Sequence, residues 1–191
     1  MLNTLEGKNN IFFADVRAEK LFREAEDDFF YFNKSQEAIE KIEKALTYTP
    51  HMLKALMMRA NIALLEGNIE LALEFYQKAY SFAPDNAKVL AGLANIYEIN
   101  NQNDEALDYI EKALNSLNSK YSPLNKALID LKLTILIKQR RYSVAKKLMN
   151  EVRPLLSIDD FNDIQMNNSS IIKQKLELQK KLKQTKLKIV K

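Results

Sequence analysis

Alanine recurs at a fixed interval of 34 residues along this chain of 191 residues. Two series of alanines keep that interval: Ala38, Ala72 and Ala106, and Ala45, Ala79 and Ala113. A fixed period of this size is typical of proteins in which one small supersecondary unit is stacked on the next. A fourth copy of the pattern, around Ala145, follows the third after 39 residues. The sequence therefore predicts about four stacked copies of one unit, with a longer connection before the last.

Each unit shows apolar residues at steps of three and four, which is the period of an α-helix. The period occurs twice in a unit, so we expect two helices in each. The residues expected between the two helices occupy equivalent places in the four copies: Asn33, Gly67, Asn101 and Arg140. Glycine and asparagine tolerate a left-handed backbone, which suits a tight turn between helices. Pro50 and Pro84 follow the second helix, and proline cannot continue a helical hydrogen-bond ladder.

Composition agrees with an all-α fold. The chain has only three glycines and four prolines, too few for the many tight turns of a β protein, and 47% of its residues are hydrophobic. The alanines seven residues apart lie on one helix face, where two backbones approach closely. A larger side chain at such a place typically costs about 1–3 kcal/mol.

The period, the paired alanines and the terminal proline resemble the tetratricopeptide repeat family. The tryptophan that is common in that family is replaced by Phe22, Leu56, Leu90 and Ile129. The resemblance implies a right-handed superhelical stack of about four helical hairpins, with a C-terminal capping and basic helix. It also implies a concave groove lined by the first helix of each hairpin.

In the register of that family the chain divides into three parts. Residues 1–18 form an N-terminal segment that is partly helical or disordered, and residues 160–191 form a capping segment with a lysine-rich helix. Between them, residues 19–159 form the repeat domain. Its four repeats are 19–52, 53–86, 87–120 and 126–159.

Carried onto this sequence, the groove implied by the resemblance is lined by one face of each first helix. The first unit contributes Lys20, Arg23, Asp27 and Tyr31. The predicted peptide-binding residues of the next two units are Lys54, Met57, Met58, Asn61, Leu65, Lys88, Asn95 and Ile99. Asn61 and Asn95 hold the same place in consecutive units, and a row of amides can hydrogen-bond a peptide backbone. The alternatives are a solvated polar face for the asparagines and ordinary core for the methionines.

Residues 1–154 carry 21 basic and 21 acidic side chains, so the net charge of +4 comes from the C-terminal part, where residues 169–191 contain eight lysines and the single acid Glu177. Its predicted basic site is Lys173, Lys175, Lys180, Lys181 and Lys183. Ser169 or Ser170 could cap a helix with one apolar stripe, which consists of Ile171, Leu178, Leu182 and Ile189. The stripe has three interpretations: it caps the last repeat, it pairs with another copy, or it lies on an anionic membrane or nucleic acid. We expect a cap at its start and a frayed basic end.

The sequence lacks the residues that several classes of enzymatic and metal site require. There is no cysteine and one histidine, His51, so thiolate chemistry and a histidine metal site are not expected. Three scattered glycines cannot form a phosphate-binding loop. The apolar run 11–14 is too short for a signal peptide or a membrane span. We therefore expect a cytoplasmic, non-enzymatic protein without cofactors.

The predicted function is a protein–protein interaction adaptor or scaffold, whose concave groove binds a peptide or helix of a partner protein. One alternative is a peripheral membrane or nucleic-acid binder that acts through the basic helix. Another is a self-assembling scaffold. The expected oligomeric state is a monomer or a weak dimer.

Overall fold

The computed structural model describes the backbone of residues 2–117 and 122–189, and the side chains of residues 13–117 and 122–181. This part of the chain is helical and contains no strand. Its α-helices are α1 (Leu2–Phe30), α2 (Ser35–Tyr48), α3 (Leu53–Leu65), α4 (Ile69–Phe82), α5 (Ala87–Ile99), α6 (Asn103–Ser116), α7 (Pro123–Lys138), α8 (Tyr142–Glu151) and α9 (Ile158–Ile189), with a short 3-10 helix at Arg153–Leu155 before α9.

The turns inside the hairpins lie where the sequence predicts them. Four residues there have positive φ: Asn33 (53°), Gly67 (76°), Asn101 (59°) and Arg140 (58°). After Gly67 the chain is tied back to the preceding helix, because the Asn68 backbone N–H donates to the Ala63 carbonyl at 2.8 Å. This bond satisfies a carbonyl that the helix end would otherwise leave without a partner. The turn prediction is confirmed, including the arginine at the fourth turn.

Side-chain caps and prolines set other helix ends. The Asn68 side chain accepts from the Leu71 N–H at 3.1 Å and so caps the start of α4. Ser122 caps α7 through the Leu124 N–H at 3.3 Å. The helices before Pro50 and Pro84 end two residues ahead of each proline, as expected from its missing N–H.

The chain forms two compact units, Met1–Ile96 and Tyr97–Lys191, and their boundary falls within α5. In the first unit, α1 packs on α2 and α3 packs on α4, while α2 also contacts α3. The repeating alanines are completely buried: Ala38, Ala45, Ala72 and Ala79 in the first unit, and Ala106, Ala113 and Ala145 in the second. These small residues therefore lie at helix contacts, as the sequence predicts.

Large apolar side chains fill the space beside the alanines. The residues that replace the family's tryptophan are all core residues: Phe22 is 3% exposed, Leu56 0%, Leu90 1% and Ile129 0%. Each stands at the same place in its first helix. Burying a side chain of this size contributes about 1.5–3 kcal/mol, so this position is a main source of stability in every repeat.

In the second unit, α9 packs against α7 and α8. Ile164 and Ile172 of α9 are 0% and 2% exposed and join a core that contains Ile129 and Leu133 of α7. At its start, the Asp160 N–H donates to the Ser157 hydroxyl at 3.1 Å, so Ser157 caps this helix. The helix that bears the basic residues thus begins on the fourth repeat.

Two expectations about this helix are wrong. Ser169 and Ser170 do not start a helix, because both lie inside α9. The predicted stripe does not dock either: Ile171 is 42% exposed and Leu178 is 49% exposed. Ile172, one residue further on, turns about 100° around the helix and reaches the core instead. The side chains of Leu182 and Ile189 lie outside the described residues.

The neighbouring residues Ile171 and Ile172 provide a test of how α9 packs on the core of the second unit. Replacing Ile172 with alanine is expected to lower the free energy of unfolding of the second unit by about 2–5 kcal/mol, because a buried side chain is truncated. The same change at Ile171 is expected to alter it by less than about 0.5 kcal/mol, as for other exposed positions. Urea unfolding of both variants, followed by circular dichroism, measures the difference. Equal effects would contradict the packing of α9.

Candidate protein-interaction surface

One face of the first helices repeats through the chain, and we call it the first-helix face. In the first unit it consists of Lys20, Arg23, Asp27 and Tyr31 on α1 or just after it, Lys54, Met57, Asn61 and Leu65 on α3, and Lys88, Ala91 and Asn95 on α5. The three sets keep the same steps of three and four residues along their helices, so each set lies along one side of its helix.

Lys54 contacts α1, the first helix of the preceding repeat. Its Nζ donates to Glu19 Oε1 at 2.5 Å and lies 4.8 Å from the centre of the Phe22 ring. The hydrogen bond from Lys54 holds the pKa of the Glu19 carboxyl below its ordinary value. This pair links α1 to α3. Glu19 Oε1 also accepts from Arg23 at 3.4 Å, so one carboxylate partly offsets the charges of Lys54 and Arg23.

Asn61 is held by a buried tyrosine. The Tyr76 hydroxyl, on α4, donates to Asn61 Oδ1 at 2.8 Å. Tyr76 is only 5% exposed, and this burial raises the pKa of its hydroxyl, which therefore stays protonated as a donor. Asn61 itself is exposed. Its amide N–H groups make no hydrogen bond within the described part of the chain, so they are available to an acceptor on a ligand.

The apolar residues of α3 divide between core and surface. Met58 is 8% exposed and belongs to the core, so it offers little area to a ligand. Met57 is half-buried. Leu65, at the end of α3, is 75% exposed. Of the three predicted apolar ligand residues on this helix, Met57 and Leu65 reach the surface.

On α5, Lys88 and Asn95 are exposed. Asn86 accepts from the Lys88 N–H at 3.0 Å and from the Val89 N–H at 3.3 Å, which fixes the start of this helix. Asn95 corresponds to Asn61 one repeat later. Ile99, 42% exposed at the end of the same helix, belongs to the second unit. The structure thus places Asn61 and Asn95 at equivalent, solvent-accessible points on α3 and α5.

The first-helix face on α1 borders a depression of about 660 Å³. Its lining carries both signs of charge and includes the predicted groove residues Lys20, Arg23 and Asp27, together with Val16. Tyr31, just after α1, is 80% exposed and occupies the place that Leu65 has in the next repeat. This part of the face therefore offers mixed charge beside exposed apolar residues.

Four of the five predicted tail lysines, Lys173, Lys175, Lys180 and Lys181, are exposed on α9. The side chain of Lys183 lies outside the described residues. Lys173 and Lys180, seven residues apart, share one face of the helix, whereas Lys175 lies two residues from Lys173 and faces another side. They form a basic helix surface and not a single cluster.

Sequence reasoning missed Tyr76, because its place on a second helix and its helical spacing indicate core. It is a core residue, but its hydroxyl reaches the first-helix face. The Tyr76 ring fits here because Gly92 has no side chain. A Cβ at Gly92 would lie 2.0 Å from Tyr76 Cε1. The sequence does contain one signal of this role, which is a tyrosine and not a phenylalanine at a core position. A buried tyrosine hydroxyl requires a hydrogen-bond partner.

Two further findings concern membrane spans and metal ligands. Within the described residues, no helix combines the length and the apolar character needed to cross a bilayer. The same residues bring together no group of three or more His, Cys, Asp or Glu side chains that could hold a metal ion.

Several solved structures share this fold. PilF of Pseudomonas aeruginosa is 19% identical, with a TM-score of 0.66 over 86% of this chain and 76% of that one. PilW, a widely conserved type IV pilus biogenesis factor, is 21% identical, with a TM-score of 0.63 over 71% of this chain and 60% of that one. MamA from Desulfovibrio magneticus RS-1 is 17% identical, with a TM-score of 0.60 over 72% and 75%. At these identities the likeness concerns the fold alone.

A search of curated protein sequences gave no significant match. Two family models do match, and both describe the tetratricopeptide repeat, one over residues 24–87 and the other over residues 63–129. Repeats of this kind provide scaffolds for protein interaction in general. Since the two matches together span residues 24–129, more than half of the sequence, the chain belongs to the tetratricopeptide repeat family.

Proposed function

We propose that this protein is an adaptor whose first-helix face, in the first unit, binds a peptide or helix of a partner protein. The observation that carries the proposal is the hydrogen bond from buried Tyr76 to Asn61 at 2.8 Å. It fixes an exposed amide in one orientation before any ligand arrives. Binding to a preorganised group loses less conformational freedom than binding to a mobile one.

The orientation of Asn61 specifies the chemistry of the ligand. Because Oδ1 accepts from Tyr76, the amide presents its N–H donors outward, and these bind acceptors such as backbone carbonyls. Asn95 offers a second amide one repeat later. A peptide backbone supplies carbonyls at regular intervals whatever its sequence, so two asparagines in register suit a backbone ligand.

The surroundings of Asn61 favour a ligand with apolar side chains. Lys54 is paired with Glu19, which reduces the positive charge that this part of the face presents. Met57 is half-buried and Leu65 is 75% exposed, so both offer apolar area beside the amide. Methionine adapts its shape to different partners. The ligand that fits best is therefore an apolar segment and not a strongly acidic one.

The proposal includes a non-enzymatic role, a cytoplasmic location, and a monomer or weak dimer in solution. A second candidate is binding to an anionic membrane or nucleic acid through α9, favoured by the exposure of Lys173, Lys175, Lys180 and Lys181. Contacts to phosphates weaken steeply as salt concentration rises, whereas apolar contacts do not. Salt dependence therefore separates the two candidates.

Affinity capture from native lysate tests the adaptor function. The baits are the intact chain, the variant Asn61→Ala/Asn95→Ala, and the control Asn115→Ala/Asn167→Ala, which removes two exposed amides outside the first-helix face. We expect a protein that the intact chain and the control retain at low and high salt, and that the first variant loses. Capture of nucleic acid or lipid only, lost at high salt, would contradict the proposal in favour of α9.

A further inference from the structure

The helix α9 occupies the place of a first helix in a further repeat. In the first unit α1 is followed and covered by α2, and α3 by α4, and in the second unit α7 is covered by α8. The next helix, α9, packs on α8 as α3 packs on α2, and it also contacts α7. Within the described residues no second helix covers α9. One side of it therefore stays open where the pattern of the fold places a helix.

At this open side, α8 and α9 enclose a slot of about 440 Å³. Its base is apolar and includes Met149 of α8 with Ile172 and Leu176 of α9. Met149 and Ile172 belong to the core of the second unit, and Leu176 packs against that core as a partly buried residue. The slot is thus an extension of the core to the surface, and an added apolar side chain there would be removed from water.

Positive charge surrounds this apolar base. Lys146 on α8 and Lys173 and Lys180 on α9 line the slot, against the single carboxylate of Glu177. None of the three lysines forms an ion pair within the described part of the chain. The acids at the start of α9 lie toward α7, where Lys126 contacts Asp163 at 2.9 Å and Asp160 at 3.4 Å. On α9, Asp160 and Asp163 therefore lie toward α7, whereas Lys173 and Lys180 lie toward the slot.

A second cavity of about 560 Å³ continues the slot toward the start of α9. The two cavities share Asn150, Phe161 and Gln165. The new lining adds Arg153, whose guanidinium lies 6.0 Å from the centre of the Phe161 ring. Along α9 the combined lining runs from Ile158 to Lys180, which is roughly 33 Å at 1.5 Å per residue. The surface is long enough for a helix of several turns.

We infer that this slot, between α8 and α9, binds an amphipathic helix of a partner protein, with apolar residues over Met149 and Leu176 and carboxylates beside Lys146, Lys173 and Lys180. The length of the lining along α9 specifies a helix, and the lysines of the slot specify its acidic flanks. A second copy of this chain is a poor ligand for the slot, because pairing two slots would bring the lysines of one against the lysines of the other. This site is separate from the first-helix face and does not depend on the function proposed for that face.

A displayed peptide library tests the inference on the full chain. The probe is a phage library of 20-residue helices with apolar residues at steps of three and four, and with Glu, Gln or Lys varied at the flanking positions. It is selected on the intact chain, on Lys173→Glu/Lys180→Glu, and on the control Lys175→Glu/Lys181→Glu, which makes the same charge change outside the slot. Far-ultraviolet circular dichroism checks that the variants fold.

We expect Glu to be enriched at the flanks on the intact chain and on the control. The selected peptides should bind Lys173→Glu/Lys180→Glu at least tenfold more weakly, and selection on that variant should enrich Lys instead. No enrichment, or peptides that only Asn61→Ala/Asn95→Ala loses, would overturn the inference. Binding to vesicles with anionic lipid that only the slot variant loses, without peptide enrichment, would assign the site to a membrane and also overturn it.

Discussion

Replacing Leu56 with alanine is expected to lower the free energy of unfolding by about 2–5 kcal/mol, the range for truncating a fully buried leucine. Leu56 is 0% exposed and stands where the tetratricopeptide repeat family commonly has tryptophan. The loss combines removal of apolar area from the core with the cavity that remains. Since folded domains are typically stable by only about 5–15 kcal/mol, this change is expected to remove a large share of the stability.

The same helix supplies the control. Leu65→Ala removes the same atoms from α3 at a position that is 75% exposed, and it is expected to change the free energy of unfolding by less than about 0.5 kcal/mol. Urea unfolding of both variants gives the two free energies of unfolding. The slope of free energy against urea concentration is compared between the variants. A loss at Leu56 no larger than at Leu65 would contradict the packing of the first unit.

Gly92→Ala is the second change with a large expected effect. An alanine Cβ at this position would lie 2.0 Å from Cε1 and 2.1 Å from Cζ of Tyr76, whose ring is buried. Displacing a packed ring typically costs about 1–3 kcal/mol. Helix propensity acts in the opposite direction, since alanine is better than glycine by about 1 kcal/mol inside a helix. We expect the steric cost to exceed this gain and the variant to be destabilised.

A double-mutant cycle isolates the steric cost. With Tyr76 already replaced by alanine, Gly92→Ala meets no ring, so it is expected to stabilise the protein by up to about 1 kcal/mol. The sign of the effect should therefore reverse between the two backgrounds in urea unfolding. A stabilising effect of Gly92→Ala when Tyr76 is present would contradict the close approach of α4 and α5.

The parts of the fold that the sequence predicts are those determined by local geometry. A residue in a left-handed turn, such as Gly67, and a small residue at a helix contact, such as Ala72, are fixed by the backbone around them. Their 34-residue spacing makes the pattern visible without any knowledge of the packing. The positive φ at Gly67 and the complete burial of Ala72 agree with it.

The parts that could not be predicted depend on contacts between distant residues. Ile171 and Ile172 are equally apolar, and only the phase of α9 on α7 and α8 decides that Ile172 is buried. Lys54 resembles a ligand residue until Glu19, 35 residues away, is found to pair with it. Met58 is adjacent to Met57 in the same helix, yet it packs in the core. Periodicity cannot tell which of two adjacent apolar residues is buried, because either one keeps a helical spacing to the other apolar residues.

The central claim, that Asn61 and Asn95 hold a partner segment, is tested most directly by a dissociation constant. A labelled peptide from the captured partner, covering the segment that crosslinks to α3, is titrated with the intact chain, Asn61→Ala/Asn95→Ala, Tyr76→Phe, and the control Asn115→Ala/Asn167→Ala. Each lost hydrogen bond is worth about 0.5–1.5 kcal/mol. We therefore predict about tenfold or weaker binding for Asn61→Ala/Asn95→Ala, a smaller loss for Tyr76→Phe, and no change for the control. Equal affinity of the intact chain and Asn61→Ala/Asn95→Ala would contradict the account.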